Sequence, residues 1–193
     1  MLFRSAVAQT NVKAIGAGAR FAFAILSDNT VAAWGRNEWG QTDVPGDAVN
    51  VIAIDGGDRH AVALKGDGTV VAWGDNRLGQ ARVPSGLIGV KAISAGENHT
   101  LALLDNGRVI GWGSNSKGQL NIPSTATDIV RIAAGRECSL AIKADGTLIT
   151  WGDRTYLNFP IEASWSPIVA VDSGNQNSVV STRNGQVYVA GVS

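Results

Sequence analysis

His60, His99 and Cys138 are the residue types in this chain best suited to proton transfer, nucleophilic attack or metal ligation, and they are evenly spaced along it. Phe21 and Asn177 extend the same register on either side. A residue that recurs once per unit sits on successive units instead of converging with its copies, and no triad order or ligand spacing surrounds these three. His60 and His99 are therefore read as structural, with no catalytic residue, no metal site and no enzymatic activity expected. Cys138 is the only cysteine, so neither an intrachain disulfide nor a cysteine-rich zinc site is available. Asp67-Gly68, Asn106-Gly107, Asp145-Gly146 and Asn184-Gly185 each offer one side-chain oxygen where calcium needs about six to eight. They read instead as two-residue hairpin turns, as does Asp28-Asn29 in the first unit. The 24 glycines fall at turns and run ends, away from any strand-to-helix phosphate loop, and no cofactor is expected.

The elements that position these residues repeat with one period. Trp34, Trp73, Trp112 and Trp151 are separated by the same constant step, each followed by glycine, and the next step lands on Ala190-Gly191. That step falls in the range of repeat architectures. Each unit opens with a β-branched and small apolar run, such as Val51 to Ile54, closed by Gly18, Gly57, Gly96, Gly135 or Gly174, where a backbone conformation reserved for glycine is expected. A second run, such as Phe21 to Leu26 or Thr100 to Leu104, is apolar at both side-chain parities, as in a strand sandwiched between layers. The third carries Trp-Gly. The fourth is the short polar Gln41 to Val44, repeated at Gln80 and Gln119 and ended by Pro45, Pro84 or Pro123, as suits an edge strand. Four short antiparallel strands per unit describe the blade of a β-propeller. The expected fold is all-β, about five blades of four strands, forming part of a larger propeller. Residues 1–10 are a non-repeat N-terminus, read as artefactual, and 11–193 form one domain whose last unit lacks its outer strand. The four tryptophans are read as packing between blades, and Ala190 as the weak end of the array.

Lys plus Arg and Asp plus Glu number 16 each, so no basic field draws in nucleic acid. No apolar run approaches the ~18 residues of a membrane-spanning helix, and no signal-peptide pattern opens the chain, which leaves the compartment unassigned and a secreted or cell-surface parent open.

The units, typified by VKAISAGENHTLALLDNGRVIGWGSNSKGQLNIP from Val90 to Pro123, resemble those of the regulator of chromosome condensation repeat family. The resemblance covers nearly all of 11–193 and is greatest to the compact bacterial branch that includes a propeller-type β-lactamase inhibitory protein. It implies a propeller that closes with seven blades, so a five-unit chain reads as an arc that self-associates through its open ends. Unit four departs from the pattern: Asp153 to Asn158 replaces the Gly-Gln loop.

Antiparallel connection puts the loop after each Gly18-type glycine and the loop after each Trp-Gly on one rim. That rim varies between units while the strands stay constant, as a recognition surface requires. In the resembling inhibitory propeller the corresponding loops bind the partner. The implied protein-binding residues are Trp39, Leu78, Lys117 and Tyr156 in one set of loops and Arg20, Arg59, Asn98, Glu137 and Gln176 in the other. The function expected is a noncatalytic scaffold binding another protein, neither nucleic acid nor membrane. The alternatives are guanine-nucleotide exchange on a small GTPase, or a secreted enzyme inhibitor or cell-surface glycan binder.

Overall fold

The computed structural model describes residues 11–155, 159 and 167–191, and the non-repeat residues 1–10 and Tyr156 lie outside them. Among the described residues, fifteen strands form five antiparallel sheets of three, in chain order within each sheet. Blade 1 is β1 (Val12–Ala17), β2 (Phe21–Leu26) and β3 (Val31–Gly35); blade 2 is β4 (Val51–Gly56), β5 (His60–Lys65) and β6 (Val70–Gly74). Blade 3 is β7 (Val90–Ala95), β8 (His99–Leu104) and β9 (Val109–Gly113), and blade 4 is β10 (Ile129–Ala134), β11 (Cys138–Lys143) and β12 (Leu148–Gly152). Blade 5 is β13 (Ile168–Ser173), β14 (Asn177–Thr182) and β15 (Val187–Gly191). The first strands of consecutive blades pack side by side, and their C-terminal ends line a central cavity of about 510 Å³.

Among the described residues the fourth strand expected in the first three units does not form: residues 41–45, and their counterparts after Gln80 and Gln119, open in a turn and join no sheet. Their hydrogen bonds are local, Asp43 N–H to Gly40 O and Val44 N–H to Thr42 O in blade 1, and the proline that follows has no N–H for a ladder. The hairpins at the opposite rim also differ from expectation. Gly68 N–H bonds to Lys65 O and Lys65 N–H to Thr69 O, which encloses three residues, not two. Only the last of the three needs positive φ, met by Asn29 at 64° and by Gly68, Gly107, Gly146 and Gly185 at 78–88°. The residue before it stays right-handed because its side chain caps the turn, as Asp67 Oδ1 does by accepting Thr69 N–H at 3.0 Å.

The glycines divide the work differently from the sequence reading. Gly18, Gly57, Gly96, Gly135 and Gly174 have no positive φ. At Gly57 and Gly96 the requirement is space: a Cβ would strike the imidazole three residues on and the carbonyl oxygen of the next blade's glycine. The positive φ belongs to the glycine that ends each third strand, after Trp34, Trp73, Trp112, Trp151 and Ala190, from Gly152 at φ 88° to Gly191 at φ 144°.

The middle strands are buried on both faces, β5, β8 and β11 at their first five residues. Between blades the tryptophan is the main wedge. Trp73 packs with Phe23 and Val44, Trp112 with Leu64 and Val83, and Trp151 with Leu103 and Ile122, so each indole sits on the previous blade's middle strand and outer segment. Trp34 is the exception. It is 48 % exposed, and Ile15 is 80 % exposed where the equivalent Ile54 is 8 %, because no described blade precedes the first. At the other end, Ala190 does not leave a weak joint as expected: Phe159 joins it with Leu140 and Val180 in one buried cluster, so bulk from the neighbouring blade's outer segment takes the place of the absent indole. Trp112→Ala is expected to cost about 3–5 kcal/mol in urea unfolding, while Trp34→Ala changes the midpoint little.

Candidate functional site

One peptide carbonyl gathers the side chains at each of the first three blade joints. Trp73, Trp112 and Trp151 donate Nε1–H to the backbone oxygens of Gln41, Gln80 and Gln119 at 3.0, 3.0 and 2.8 Å. At two joints a hydroxyl donates to the same oxygen, Thr100 to Gln80 at 3.0 Å and Ser139 to Gln119 at 2.8 Å. A hydroxyl has a single proton, so His60 and His99, 3.0 Å from Thr100 and Ser139, must be the donors through Nε2. Both rings are fully buried, and burial holds both imidazoles neutral with pKa values lowered to about 4. Where Phe21 replaces histidine, its neighbour in blade 2 is Ala61 instead of a hydroxyl, and both join the apolar cluster. Buried, on separate blades and tied to the joints, the two imidazoles are in no position to share a substrate. Among the described residues no group of histidine, cysteine and carboxylates could hold a metal.

The same glutamines reach outward. Gln41, Gln80 and Gln119 accept the backbone N–H of Trp39, Leu78 and Lys117 on Oε1 at 2.8–2.9 Å. Asn37, Asn76 and Asn115 accept the N–H five residues on, and Gly40, Gly79 and Gly118 supply φ of 75°, 83° and 80°. The loop after each Trp-Gly is thereby held from within, and the residue just before the second glycine is presented outward. These clamps were missed in the sequence reading, although Asn and Gln recur in phase with the tryptophans and that was the available signal.

Both sets of loops lie at one end of the blades. The N–H groups of Arg36, Asp75, Ser114 and Asp153 bond to the oxygens of Arg20, Arg59, Asn98 and Glu137. Consecutive blades are also joined there, Asp58 N–H to Glu97 O and Glu97 N–H to Gly135 O, around the mouth of the central cavity. Arg20, Leu78, Lys117 and Gln176 are exposed, whereas Trp39, Arg59, Asn98 and Glu137 are half-buried.

The structure brings only some of these residues together. The Arg77 guanidinium lies 3.9 Å from the Trp39 ring centroid and that of Arg59 lies at 5.3 Å, both within cation–π range. Arg77 is fixed by Asp75, Nη2 to Oδ2 at 2.7 Å and Nε to Oδ1 at 2.9 Å, and Asp75 is only 4 % exposed. The Arg77 hydrogen bond foremost holds Asp75 below the usual carboxylate range. The Asp75–Arg77 combination occurs in one unit only, since Asp153 repeats the carboxylate but Thr155 stands where Arg77 would, so no repeat signal marks the pair. Away from this cluster, Arg136 Nε bonds to Glu97 Oε2 at 2.8 Å, joining blades 3 and 4.

Inside the cavity wall Asp55 accepts Ala95 N–H from the next blade at 2.8 Å and Gly56 N–H at 2.9 Å. Burial outweighs these bonds and, with Asp172 adding repulsion, pushes its carboxyl up to about 6. The groups oppose one another in pH dependence. From about pH 6.5 down to about 4 the unfolded chain takes up protons that His60 and His99 refuse, so their stabilisation is lost on acidification. The Asp55 carboxylate costs stability above about pH 6, and protonation of the folded state relieves that cost. Asp55→Asn should raise the urea midpoint at pH 7.5 and steepen its fall between pH 6.5 and 4.

The regulator of chromosome condensation (RCC1) repeat model matches residues 12–41, 51–80 and 90–119. No curated protein sequence matches the chain. Among solved structures it is similar to human WBSCR16, at 20 % identity and a TM-score of 0.81, over 98 % of this chain and 63 % of that one. Prp20p from Saccharomyces cerevisiae gives 23 % and 0.76 over 93 % and 58 %. The CRINKLY WD40 ectodomain of the Arabidopsis thaliana receptor kinase ACR4 gives 21 % and 0.76 over 93 % and 68 %. At these identities the likeness is one of fold, and the chain spans about three fifths of the first two structures. The sequence matches and the sheet architecture agree: the three segments that match the RCC1 repeat model coincide with the first three sheets, and the described residues have the fold of consecutive β-propeller blades.

Proposed function

We propose that this chain is a noncatalytic scaffold that binds another protein through the rim formed by the loops after the repeat glycines and after Trp-Gly. The observation that carries the reading is Trp39, a half-buried aromatic outside the repeated tryptophan register, held at the rim by Gln41 and flanked by Arg59 and Arg77. Tryptophan and arginine are the residues that most often dominate interface energies, and a rim fixed by buried clamps loses little freedom on binding. The resemblance to the compact bacterial branch supports the same surface, because its inhibitory member binds through the corresponding loops. Arg20, Leu78, Asn98, Lys117, Glu137 and Gln176 are the proposed peripheral contacts, with Tyr156 in the corresponding loop of unit four.

A photo-crosslinking residue at Lys117, on this rim, should capture a protein in the cells of origin, whereas one at Ser85, toward the other rim, should not. Trp39→Ala with Arg59→Ala should remove the crosslink, weakening the isolated complex by a hot-spot-sized ~2 kcal/mol or more at an unchanged thermal midpoint. Crosslinks from Ser85 alone, or unfolding of the double variant, would overturn the assignment.

Exchange of guanine nucleotide on a small GTPase is the second reading, favoured by the fold shared with Prp20p, whose structure was described with its binding properties to Gsp1p and histones. A nucleotide-release assay separates it from simple binding.

A further inference from the structure

The loop after Trp34-Gly35 and the loop after Trp73-Gly74 meet in one stacked pair, and one side of that pair faces solvent. The guanidinium carbon of Arg77 lies 3.9 Å from the centroid of the Trp39 ring. A guanidinium standing edge-on would be held farther off by its own N–H, so at this distance it lies flat on the indole. Asp75 sets the plane: its carboxylate accepts the Arg77 backbone N–H at 3.1 Å, Nε–H at 2.9 Å and Nη2–H at 2.7 Å. The Asp75 side chain is 3 % exposed, whereas that of Arg77 is 58 % exposed. Trp39 covers one face of the guanidinium and Asp75 one edge, so solvent reaches the opposite face and Nη1. Arg59 leaves that face open, because a guanidinium layered on Arg77 would stand roughly twice as far from the indole as Arg77 does, and Arg59 lies at 5.3 Å. Leu78, the next residue, adds exposed apolar surface to the same rim.

We infer that the outer face of Arg77 receives an aromatic side chain of the protein partner, completing a three-layer stack on Trp39. The inference rests on the protein-binding reading above and names the chemistry of one contact. A guanidinium is weakly hydrated and stacks on aromatic faces, so covering its open face with a ring sacrifices little solvation, and the negative face of Tyr, Trp or Phe complements the charge. Held by Asp75 and Trp39, Arg77 has already lost the rotamer freedom that a long side chain gives up on binding. A partner carboxylate finds the Nε and Nη2 donors occupied by Asp75. A nucleobase has a comparable face but brings phosphates, and Arg36, Arg59 and Arg77 are already paired with Glu38, Asp58 and Asp75. The residues equivalent to Arg77 in the other units are Glu38, Ser116 and Thr155, so the platform is confined to the joint of blades 1 and 2 and takes a single ring.

The test selects linear peptides from a random display library on the whole chain and titrates a recovered peptide while the Arg77 Nε–Hε resonance, assigned with Arg77→Lys, is followed by ¹H–¹⁵N NMR. Recovered sequences should share an aromatic residue, and binding should move the Arg77 signal upfield, as a ring stacked over the guanidinium does. Arg77→Lys keeps a cation beside Asp75 but loses the flat face, and should weaken the peptide roughly threefold to thirtyfold at an unchanged thermal midpoint, the range of one cation–π contact. Replacing the peptide's aromatic residue by leucine, which leaves the protein untouched, should weaken binding by a similar factor, and the two losses should not add. Failure to recover binders, absence of a shared aromatic residue, an unmoved Arg77 signal, additive losses, or an equal upfield shift with a short oligoadenylate overturns the inference. Rim crosslinks to a protein whose contact segment lacks an aromatic residue defeat the inference and leave the scaffold reading intact. Aromatic peptides that stack on Arg77 without any rim crosslink in cells do the reverse.

Discussion

The backbone oxygens of Gln41, Gln80 and Gln119 are the points on which this molecule turns. Each accepts the indole N–H of the following blade, and two of them also accept a hydroxyl of that blade which is in turn held by a histidine of the glutamine's own unit. A polar contact buried so deeply gains strength from its low-dielectric surroundings and permits one geometry only. The apolar wedge of the indole supplies the bulk of the packing energy, and the carbonyl tells it where to stop. Three-stranded sheets with both faces of the middle strand buried have no stability alone, so order in this array depends on joints repeated at the same register.

Those joints also fix the rim. The glutamine that anchors the next blade through its peptide oxygen holds its own loop through its side chain, so packing and presentation share one residue. Variation at Trp39, Leu78 and Lys117 is tolerated because the clamp acts on their backbone N–H groups and leaves the side chains unconstrained. A surface can thus change its chemistry from blade to blade without disturbing the stack. The concentration of arginine at blades 1 and 2 is one result of that freedom.

Much of this was legible in the chain. A constant period with tryptophan, glycine and proline in phase specified blades, because strand alternation and turn chemistry are local properties. Local reasoning erred where a neighbour decides the outcome. Gly57 and Gly96 look like conformational glycines and are steric ones, since the atoms they must avoid belong partly to the next blade. The segment after Gln41 reads as a strand by composition, yet it turns on its own hydrogen bonds and packs Val44 against Trp73. Trp34 has the same local sequence as Trp73 but is exposed, because burial of a wedge is a property of the joint and not of the residue.

By itself, then, the sequence determined the all-β repeat, its period, the placement of two loop sets on one rim and the structural character expected of His60 and His99. These follow from periodicity and from short-range backbone preference. Only the tertiary structure decided that Phe159 would fill the space left by Ala190, that Asp55 would span to blade 3, and that Arg59 and Arg77 would converge on Trp39. Each of these joins residues that are distant in the chain and belong to different units, and such contacts depend on how blades are stacked, which no single unit encodes.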